Sequence, residues 1–367
     1  MQILTNREHL LPALMRGTGV VERRQTLPIL GNFYISAGEG GVVELVGTDL
    51  ELEIRTSFAA TVNGPGTVTL PARKITDICR ALPEGADIRL KVDGDKAVVS
   101  AGRGRYTLSV LPADGFPLMQ PEVDGTCLEL EQGQLRKLLE KTAFAMAQHD
   151  VRYYLNGLLL EVSPGRLTAV ATDGHRLAKV EMDCENEVGE TSQVILPAKT
   201  VSELKRLLVG TDDPVRIRIS ERTIEFQMGE AQVTSKLIDG RYPEYDRVIP
   251  RSPERVAVAD RTALRQGLMR TAILSNEKYK GVRVTFEAGL LRLQAHNPEQ
   301  DEAEEELELD YGGEPTTIGF NVSYVMDILN VLDKDEVEIA FSDGNSSALW
   351  SNKGVDNEVY VVMPMRL

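Results

Sequence analysis

Histidines and cysteines, the side chains that most often mark catalytic or transition-metal sites, are few and scattered in this chain. Its four histidines, His9, His149, His175 and His296, lie far apart and show no metal-binding spacing such as H-E-x-x-H. The sequence has no phosphate loop of the form G-x-x-x-x-G-K-[ST], and its three cysteines form no C-x-x-C pair. We therefore expect a protein that is not an enzyme and that holds no metal and no cofactor.

Two local patterns leave other chemistry open. Gly102-Arg103-Gly104-Arg105 resembles the start of G-x-G-x-x-G but lacks the third glycine and a following helix, which argues against a nucleotide site. Asp173 stands near His175, yet no nucleophile motif such as G-x-S-x-G accompanies them. A turn is the favoured role for this pair, and a hydrolase built around it is the less favoured alternative.

Basic residues are more informative, because they recur on the predicted helices outside the apolar stripes. A solvated face explains any single helix, whereas basic faces on five of the six predicted helices of an acidic protein favour a mildly positive surface for nucleic acid. The alternative is an interaction scaffold with no grip on DNA. The basic set comprises Arg7, Arg16, Arg73, Lys74, Arg80, Arg136, Lys137, Lys141, Lys199, Lys205, Arg206, Arg265 and Arg270.

An acidic run at 299–306 is the second charged feature. It fits a solvated loop or edge strand, or else one half of a charge-paired interface. Candidate partners in the first third are Lys74, Lys96, Arg103 and Arg105. A chain that is basic near one end and acidic near the other suits head-to-tail association, which closes into a ring when the rotation allows it.

The elements that position these residues follow from an internal repeat. Leu70-Pro71-Ala72 returns 126 residues later as Leu196-Pro197-Ala198, and 124 residues after that, less closely, as Phe320-Asn321-Val322. A helix with apolar residues at i, i+3, i+4 and i+7 is predicted after each copy. A period this long indicates three copies of one domain. We place the domains at 1–125, 126–252 and 253–367.

Each third has an opening helix, strands, a second helix and further strands, which predicts an α+β domain. The opening helices are predicted at Asn6–Val21, Gln134–Met146 and Arg261–Leu274. Pro71 and Pro197 suit the start of a second helix, and Asn321 suits an N-cap. The predicted strands are Val42–Val46, Glu53–Phe58, Ile88–Val92, Tyr106–Val110, Gly157–Val162, Val215–Ile219, Gly281–Phe286, Leu290–Ala295 and Val337–Phe341.

Composition bounds the class of protein. The formal net charge is −15, and most of it lies in the last third, which argues against a protein that simply coats nucleic acid. The sequence shows no apolar signal segment near its first residue and no apolar run of about 18 residues. We therefore expect a cytoplasmic protein with reduced thiols and no contact with a membrane.

Six sequence blocks, in order along the chain, carry a family resemblance. They are Asp150–Gly157, Ala171–Leu177, Ile273–Tyr279, Asn297–Gln300, Gly319–Tyr324 and Tyr360–Leu367. In them the chain closely resembles the bacterial DNA polymerase III beta subunit family, the replicative sliding clamps. The resemblance extends over essentially the whole chain.

The resemblance implies a head-to-tail homodimer of three-domain subunits that forms a ring around duplex DNA. Twelve helices spaced about 9 Å apart would line a hole of roughly 25 Å, which is wide enough for a duplex and a water layer. Contact with phosphates would then be independent of sequence. The implied partners are the DNA polymerase III alpha subunit, a clamp loader, and other polymerases and repair proteins with clamp-binding peptides. The implied location is the cytoplasm, at the nucleoid.

The resemblance also implies three sets of site residues. The residues facing DNA are Arg24, Arg73, Arg80, Arg105, Gln148, His149, Tyr153 and Tyr154. The residues at the dimer interface are Lys74, Arg103, Arg105, Tyr106, Leu108, Ile273, Leu274, Glu299, Asp301, Glu302, Glu304 and Glu305. The residues of the peptide-binding cleft are Arg152, Leu155, Thr172, Gly174, His175, Arg176, Leu177, Pro243, Arg247, Val248, Asn321, Tyr324, Ser347, Val361, Met363, Pro364, Met365 and Arg366.

Overall fold

The computed structural model describes residues 1–22, 27–120, 122, 124–186 and 188–366. Within them, the same order of elements occurs three times: a strand, a helix, four strands, a second helix and three strands, with one additional short strand in the first repeat. This order confirms the α+β class and the three tandem copies. The domain limits at 125/126 and 252/253 stay a prediction.

In the described residues, six α-helices lie where the sequence predicts them, and the side chain of the preceding residue caps three of them. Asn6, Asp260 and Asn321 accept backbone N–H groups of His9, Ala263 and Ser323 at 2.9, 2.7 and 2.9 Å, so the helices begin at the next residue. The predicted N-cap at Asn321 is therefore confirmed. The helices are α1 Arg7–Thr18, α2 Ala72–Ala81, α3 Gln132–Thr142, α4 Ala198–Leu207, α5 Arg261–Thr271 and α6 Val322–Val331.

All nine predicted strands coincide with observed strands to within a few residues, and the structure adds others. The first repeat contains β1 Gln2–Asn6, β2 Asn32–Ala37, β3 Val42–Thr48, β4 Leu52–Ala59, β5 Thr61–Asn63, β6 Gly66–Pro71, β7 Asp87–Asp93, β8 Lys96–Ala101 and β9 Gly104–Ser109. The second contains β10 Thr126–Glu131, β11 Gly157–Ser163, β12 Arg166–Thr172, β13 Arg176–Asp183, β14 Ser192–Pro197, β15 Pro214–Ile219, β16 Thr223–Met228 and β17 Ala231–Lys236. The third contains β18 Arg255–Asp260, β19 Gly281–Glu287, β20 Leu290–His296, β21 Glu302–Glu308, β22 Thr316–Asn321, β23 Glu336–Phe341, β24 Ala348–Asn352 and β25 Glu358–Val362.

The sheets cross from one repeat into the next. One eight-stranded sheet has the order β10-β15-β16-β17-β4-β3-β2-β6, and the other has the order β14-β11-β12-β13-β25-β24-β23-β18. Antiparallel pairs β4·β17 and β13·β25 join the repeats. The remaining strands form a five-stranded sheet, β5-β1-β7-β8-β9, and a four-stranded sheet, β21-β20-β19-β22. In the described part of the chain, β9 and β21 are therefore edge strands.

The chain divides into two compact units, residues 1–136 with 199–237 and residues 137–198 with 238–367. Each unit contains one complete eight-stranded sheet and one of the smaller sheets. Every helix in the described residues is too short or too polar to cross a bilayer.

Lys141 differs from the solvated position that the sequence predicts for basic helix residues. Its side chain is only 5% exposed and forms ion pairs with Glu358 and, at 3.2 Å, with Asp333. Asn352 donates a hydrogen bond to each of the same two carboxylates. The pairing links α3 of the second repeat to β25 of the third, so Lys141 belongs to the interior rather than to a charged outer face.

Replacing Lys141 with Ala is expected to lower the free energy of unfolding by about 3 kcal/mol, because it leaves the buried Glu358 carboxylate without its cation. Lys137→Ala is the matched control, since Lys137 contacts the same Asp333 at 3.1 Å but is 60% exposed. Urea denaturation measures both variants. Equal losses in the two variants would contradict the interior role of Lys141.

Candidate functional site

The Asp173–His175 pair forms a turn. The Asp173 carboxylate accepts the backbone N–H groups of His175 and Arg176 at 2.9 and 3.1 Å, and the Nε of Arg176 donates to it at 3.1 Å. All three of these hydrogen bonds come from His175 and Arg176, so the Asp173 carboxylate stabilises the turn between β12 and β13. The turn role predicted for this pair is what the structure shows, and the hydrolase alternative has no support in this geometry.

Gly102 and Arg103 form the tight turn between β8 and β9, with Gly102 in the left-handed region at φ 56°. A strand follows this turn, whereas a nucleotide-binding glycine loop leads into a helix. The segment therefore serves as a hairpin. In the described residues, no group of three or more His, Cys, Asp or Glu is arranged to hold a metal ion.

Arg176 connects the turn to α6. Its guanidinium donates to Asp327 at 2.5 Å and to the Phe144 carbonyl at 2.6 Å, and it lies 4.5 Å from the centre of the Tyr324 ring. The side chain is 11% exposed. Such a fixed cation positions its neighbours rather than offering a free charge to a ligand.

An apolar floor lies beneath the turn. Leu155, Leu177 and Val361 are each at most 2% exposed and belong to one buried cluster with Tyr242 and Tyr245. Burial raises the pKa of both tyrosine hydroxyls well above the usual range. The three predicted cleft residues therefore support the site from below, and both tyrosines stay neutral.

The C-terminal segment lies along this floor. The Met363 N–H donates to the His175 carbonyl at 2.9 Å, and the His175 ring stacks on Tyr324 with 6.5 Å between centroids. The Tyr242 hydroxyl accepts the Thr172 N–H at 3.1 Å. These contacts bring together segments that are far apart in sequence, all of them within the second unit.

The rim of the site is apolar and accessible. Met363 and Pro364 are half-buried, Pro243 is exposed, and Val248 is 41% exposed. An accessible apolar rim above a rigid apolar floor can accept the side chains of an extended peptide, and a methionine adapts to different ones. The predicted cleft residues Thr172, Gly174 and Ser347 are half-buried, and Arg247 is exposed.

Four predicted cleft residues have other contacts. Asn321 caps α6, and Arg152 pairs with Asp150 at 2.9 Å and donates to the Asp173 carbonyl at 3.2 Å. Hydrogen bonds from Arg152 lower the pKa of Asp150 to about 2. Met365 and Arg366 line a separate hollow of about 730 Å³ on the third repeat. Leu367 lies outside the described residues.

The residues predicted to face DNA are mostly exposed. Arg73 and Arg80 lie on α2, and Gln148, His149 and Tyr153 lie on the exposed segment after α3. His149 adopts a left-handed conformation at φ 57°, which turns the chain there. Tyr154 is half-buried against Tyr153. Arg24 lies outside the described residues.

Several basic helix residues have acidic partners. Lys199 pairs with Glu22 at 2.7 Å and also with Asp49, and Arg206 pairs with Glu203 at 2.7 Å. Such pairs neutralise charge that the sequence counts as available. The positive potential along the helices is therefore weaker than a residue count suggests.

The predicted interface residues lie on the edge strands β9 and β21 and in the segments directly before them, except Lys74, which lies on α2, and Ile273 and Leu274, which lie in the turn after α5. Ile273 is 76% exposed, Tyr106 is 38% exposed, and Glu302 and Glu304 project from the edge strand β21. Lys74, Arg103, Glu299 and Asp301 are exposed, whereas Leu274 and Glu305 are half-buried. Leu108 is only 7% exposed, because its side chain points to the core side of β9. Only its backbone is therefore available at the strand edge.

Sequence analysis missed Tyr242, Tyr245, Phe144 and Asp327 as parts of the site. The spacing Tyr242-x-x-Tyr245 beside Pro243 is an available signal for the two tyrosines. Phe144 and Asp327 meet Arg176 only through the tertiary fold, so no local pattern indicates them.

Fold and site together define a protein of three tandem α+β repeats with a buried apolar cluster and accessible apolar residues beside its C-terminal segment. Comparison with known families gives three matches: "DNA polymerase III beta subunit, N-terminal domain" at residues 1–120, the central domain at 129–244 and the C-terminal domain at 246–366. The chain therefore belongs to the DNA polymerase III beta subunit family, as the sequence blocks indicate.

Individual relatives agree over the full length. The chain is 50% identical over 369 residues to the beta sliding clamp of Pseudomonas putida, with 100% of both chains covered. A crystal structure of the DNA polymerase sliding clamp from Pseudomonas aeruginosa with ligand matches with a TM-score of 0.97 at 48% identity, covering 100% of each chain. A P. aeruginosa clamp bound to griselimycin matches with a TM-score of 0.96 at the same identity and coverage.

Proposed function

We propose that this protein is a non-enzymatic DNA sliding clamp that works as a head-to-tail homodimer and holds polymerases on duplex DNA without sequence preference. Membership of the beta subunit family supports the proposal. The observation that carries it concerns the strand pairs that join neighbouring repeats, which we call sheet junctions. Two junctions lie within the chain, β4·β17 and β13·β25. The equivalent strands for a third junction are β21 and β9, and in the described residues each of them lacks a partner along one side.

In the order of elements, β21 corresponds to β4 and β13, and β9 corresponds to β17 and β25. Glu53, Leu177 and Glu302 each pair across a hairpin with equivalent residues Thr48, Thr172 and His296. At the internal junctions, Glu53 and Leu177 lie opposite the fourth residue of the last strand, which is Thr234 in β17 and Val361 in β25. The fourth residue of β9 is Thr107.

The same register is therefore expected between two copies of the chain. It places Glu302 opposite Thr107, Ala303 opposite Tyr106, and Glu304 opposite Arg105 of the second copy. Opposite charges at a cross-strand pair stabilise that register. Arg105 and Leu108 lie on opposite faces of β9, and Leu108 faces the core, so this geometry favours the interface over DNA contact for Arg105.

An apolar contact within the chain indicates which side chains meet in the dimer. Phe144 follows α3 and packs on Tyr360 of β25, with 6.0 Å between ring centroids. Ile273 holds the same place after α5, and Tyr106 holds the place of Tyr360 on β9. Tyr360 is fully buried, whereas Tyr106 is 38% exposed in a single chain. We expect Ile273 to cover Tyr106 of the second copy.

The surface around Met363 binds the partner proteins of the clamp. Its accessible apolar rim suits short peptides from the DNA polymerase III alpha subunit, the clamp loader and other polymerases and repair proteins. Weak positive potential along the helices suits water-mediated contact with phosphates, which allows sliding. The sequence contains no phosphate loop of the form G-x-x-x-x-G-K-[ST], so we expect a separate loader to open the ring.

Retention on circular DNA tests the proposal. The protein is loaded onto nicked plasmid with a clamp loader and ATP, the complex is isolated by gel filtration, and the plasmid is then cut. We expect the protein to stay on the circle and to leave the linear form within minutes, because only the ring topology holds it. Loss from both forms at one rate would instead support the scaffold without a grip on DNA.

A further inference from the structure

The three repeats align through one strand pair in each, β2·β6, β11·β14 and β19·β22. In every pair, the first residue of one strand lies opposite the last residue of the other. The third residue of the first strand is therefore equivalent in the three repeats. This aligned position is Tyr34 in the first repeat, Leu159 in the second and Arg283 in the third.

The segment after the last strand of each repeat forms a backbone hydrogen bond next to this position. Its bonding partner is the residue that lies opposite the aligned position. The bonded pairs are Leu111 with Thr69, Ile238 with Ile195, and Met365 with Gly319, at 3.2, 2.9 and 2.7 Å. The three segments therefore pass equivalent places, and the side chains that they bring to the aligned position can be compared directly.

In the first two repeats, this segment covers the aligned position with an aromatic ring. The Phe116 ring lies 5.6 Å from the Tyr34 ring, measured between centroids. Tyr242 and Tyr245 belong to the same buried cluster as Leu159. All three covering residues are at most 7% exposed. An aromatic side chain is therefore what the protein itself packs at this place.

The third repeat leaves this place open in the described residues. Residues 363–366, which follow β25, include no aromatic residue, and Arg283 is exposed. The hollow of about 730 Å³ lies here, and we call it the third-repeat hollow. Its lining includes Arg283, Met365 and Tyr279, and Tyr279 is 57% exposed.

The lining suits an aromatic side chain better than an acidic one. A ring can stack on the Arg283 guanidinium and on Tyr279, and it can contact the thioether of Met365. An acid would pair with Arg283 but would also meet Glu302 and Glu304, which line the same hollow. The chemistry of the hollow therefore favours an aromatic ligand.

The segment 363–366 connects the third-repeat hollow to the apolar floor. The Met363 N–H binds the His175 carbonyl beside the floor, and Met365 lines the hollow. In a Gln-x-x-Leu-Phe peptide, the Leu-Phe end requires the apolar floor. Three extended residues span about 10 Å, whereas the step from Met363 to Met365 spans about 7 Å. In a peptide that follows this segment, the residues before the glutamine therefore reach the hollow.

We propose that the third-repeat hollow binds an aromatic side chain that lies one or two residues before the glutamine of a partner's peptide. The inference rests on the proposed function, because it requires the surface around Met363 to bind such peptides. The partner's ring takes the place that Phe116 and Tyr242 hold in the other repeats. Partners with an aromatic residue there bind more tightly than partners without one.

Competition binding of peptides to the full chain, read by fluorescence anisotropy, tests the inference. Each peptide is a Gln-x-x-Leu-Phe sequence preceded by Ala-Ala, or by the same pair with one Ala replaced by Trp or by Asp. We expect a Trp peptide to bind at least about fivefold tighter than the Ala peptide, and the Asp peptides to gain less than about twofold. Tyr279→Ala combined with Arg283→Ala should remove the gain from Trp and leave the affinity for the Ala peptide unchanged.

Arg89→Ala is the matched control, since Arg89 is an exposed arginine on β7 of the first repeat, and this variant should keep the full gain. Trp peptides no tighter than the Ala peptide, or a gain that survives the double variant, would overturn the inference but leave the proposed peptide site intact. A larger gain for Asp than for Trp would also overturn it, because the hollow would then select charge. If the Ala peptide itself does not bind the wild type, the proposed peptide site fails together with the inference.

Discussion

Replacing Ile273 with Ala is expected to raise the dimer dissociation constant about 10³-fold. Truncating a large aliphatic side chain that becomes buried costs about 2 kcal/mol or more, and a closed head-to-tail ring contains the contact twice. Ile273 is 76% exposed in one chain, so this cost applies to association rather than to folding. Adding Leu274→Ala should give monomers at micromolar concentration, measured by multi-angle light scattering.

Val256→Ala provides the control for the Ile273 variant. Val256 lies on β18 of the same repeat and is 47% exposed, but it has no equivalent at either internal junction. Its replacement should leave the mass of the dimer unchanged. An unchanged dimer in the Ile273→Ala, Leu274→Ala variant would show that the apolar contact does not hold the ring, and that backbone pairing of β9 with β21 suffices.

Internal repetition is the reason that so much of the fold is predictable from sequence. The copies at Leu70, Leu196 and Phe320 locate the second helices, and apolar spacing then gives their buried faces, as Ile75 and Cys79 show on α2. Pairing between strands of different repeats cannot be predicted in this way. Pairing of β4 with β17 depends on contacts between residues 179 positions apart, such as Ile54 and Val233, and no local pattern encodes them.

Charge is the feature that sequence analysis describes least well. Counting basic residues treats Lys141 and Arg270 alike, whereas the structure buries Lys141 with Glu358 and leaves Arg270 paired with Glu305 near an edge. The partner of a charged residue depends on tertiary contacts, because its side chain is long and its acid lies on another element. The acidic run at 299–306 was predicted either as an edge strand or as an interface, and β21 is the edge strand that an interface requires.

The residues around Met363 have different structural roles. Family resemblance names its residues, yet the structure divides them into a buried floor, a fixed cation and an accessible rim. Leu155, Leu177 and Val361 cannot contact a ligand extensively without rearrangement, since each is at most 2% exposed. Substitutions at these floor residues should therefore destabilise the second unit, whereas changes at the rim should affect binding alone.

Removing residues 363–367 is expected to weaken binding of a polymerase-derived peptide of the Gln-x-x-Leu-Phe type at least about 100-fold. The segment is fixed by the Met363 N–H on the His175 carbonyl and the Met365 N–H on the Gly319 carbonyl, at 2.9 and 2.7 Å. Its first two residues, Met363 and Pro364, are half-buried and form one accessible side of the apolar rim. A few residues of such a site normally account for most of the binding energy. Fluorescence anisotropy with a labelled peptide measures the loss.

Two further variants separate binding from folding. Met363→Ala keeps the backbone contacts and should still cost about tenfold in affinity, whereas Met269→Ala removes a 52% exposed methionine on α5 and should cost nothing. Because every predicted cleft residue lies within residues 137–198 and 238–367, the Ile273→Ala, Leu274→Ala monomer should bind peptide with wild-type affinity. Full affinity in the truncated protein would place the peptide elsewhere, and loss of affinity in the monomer would mean that the site depends on the ring.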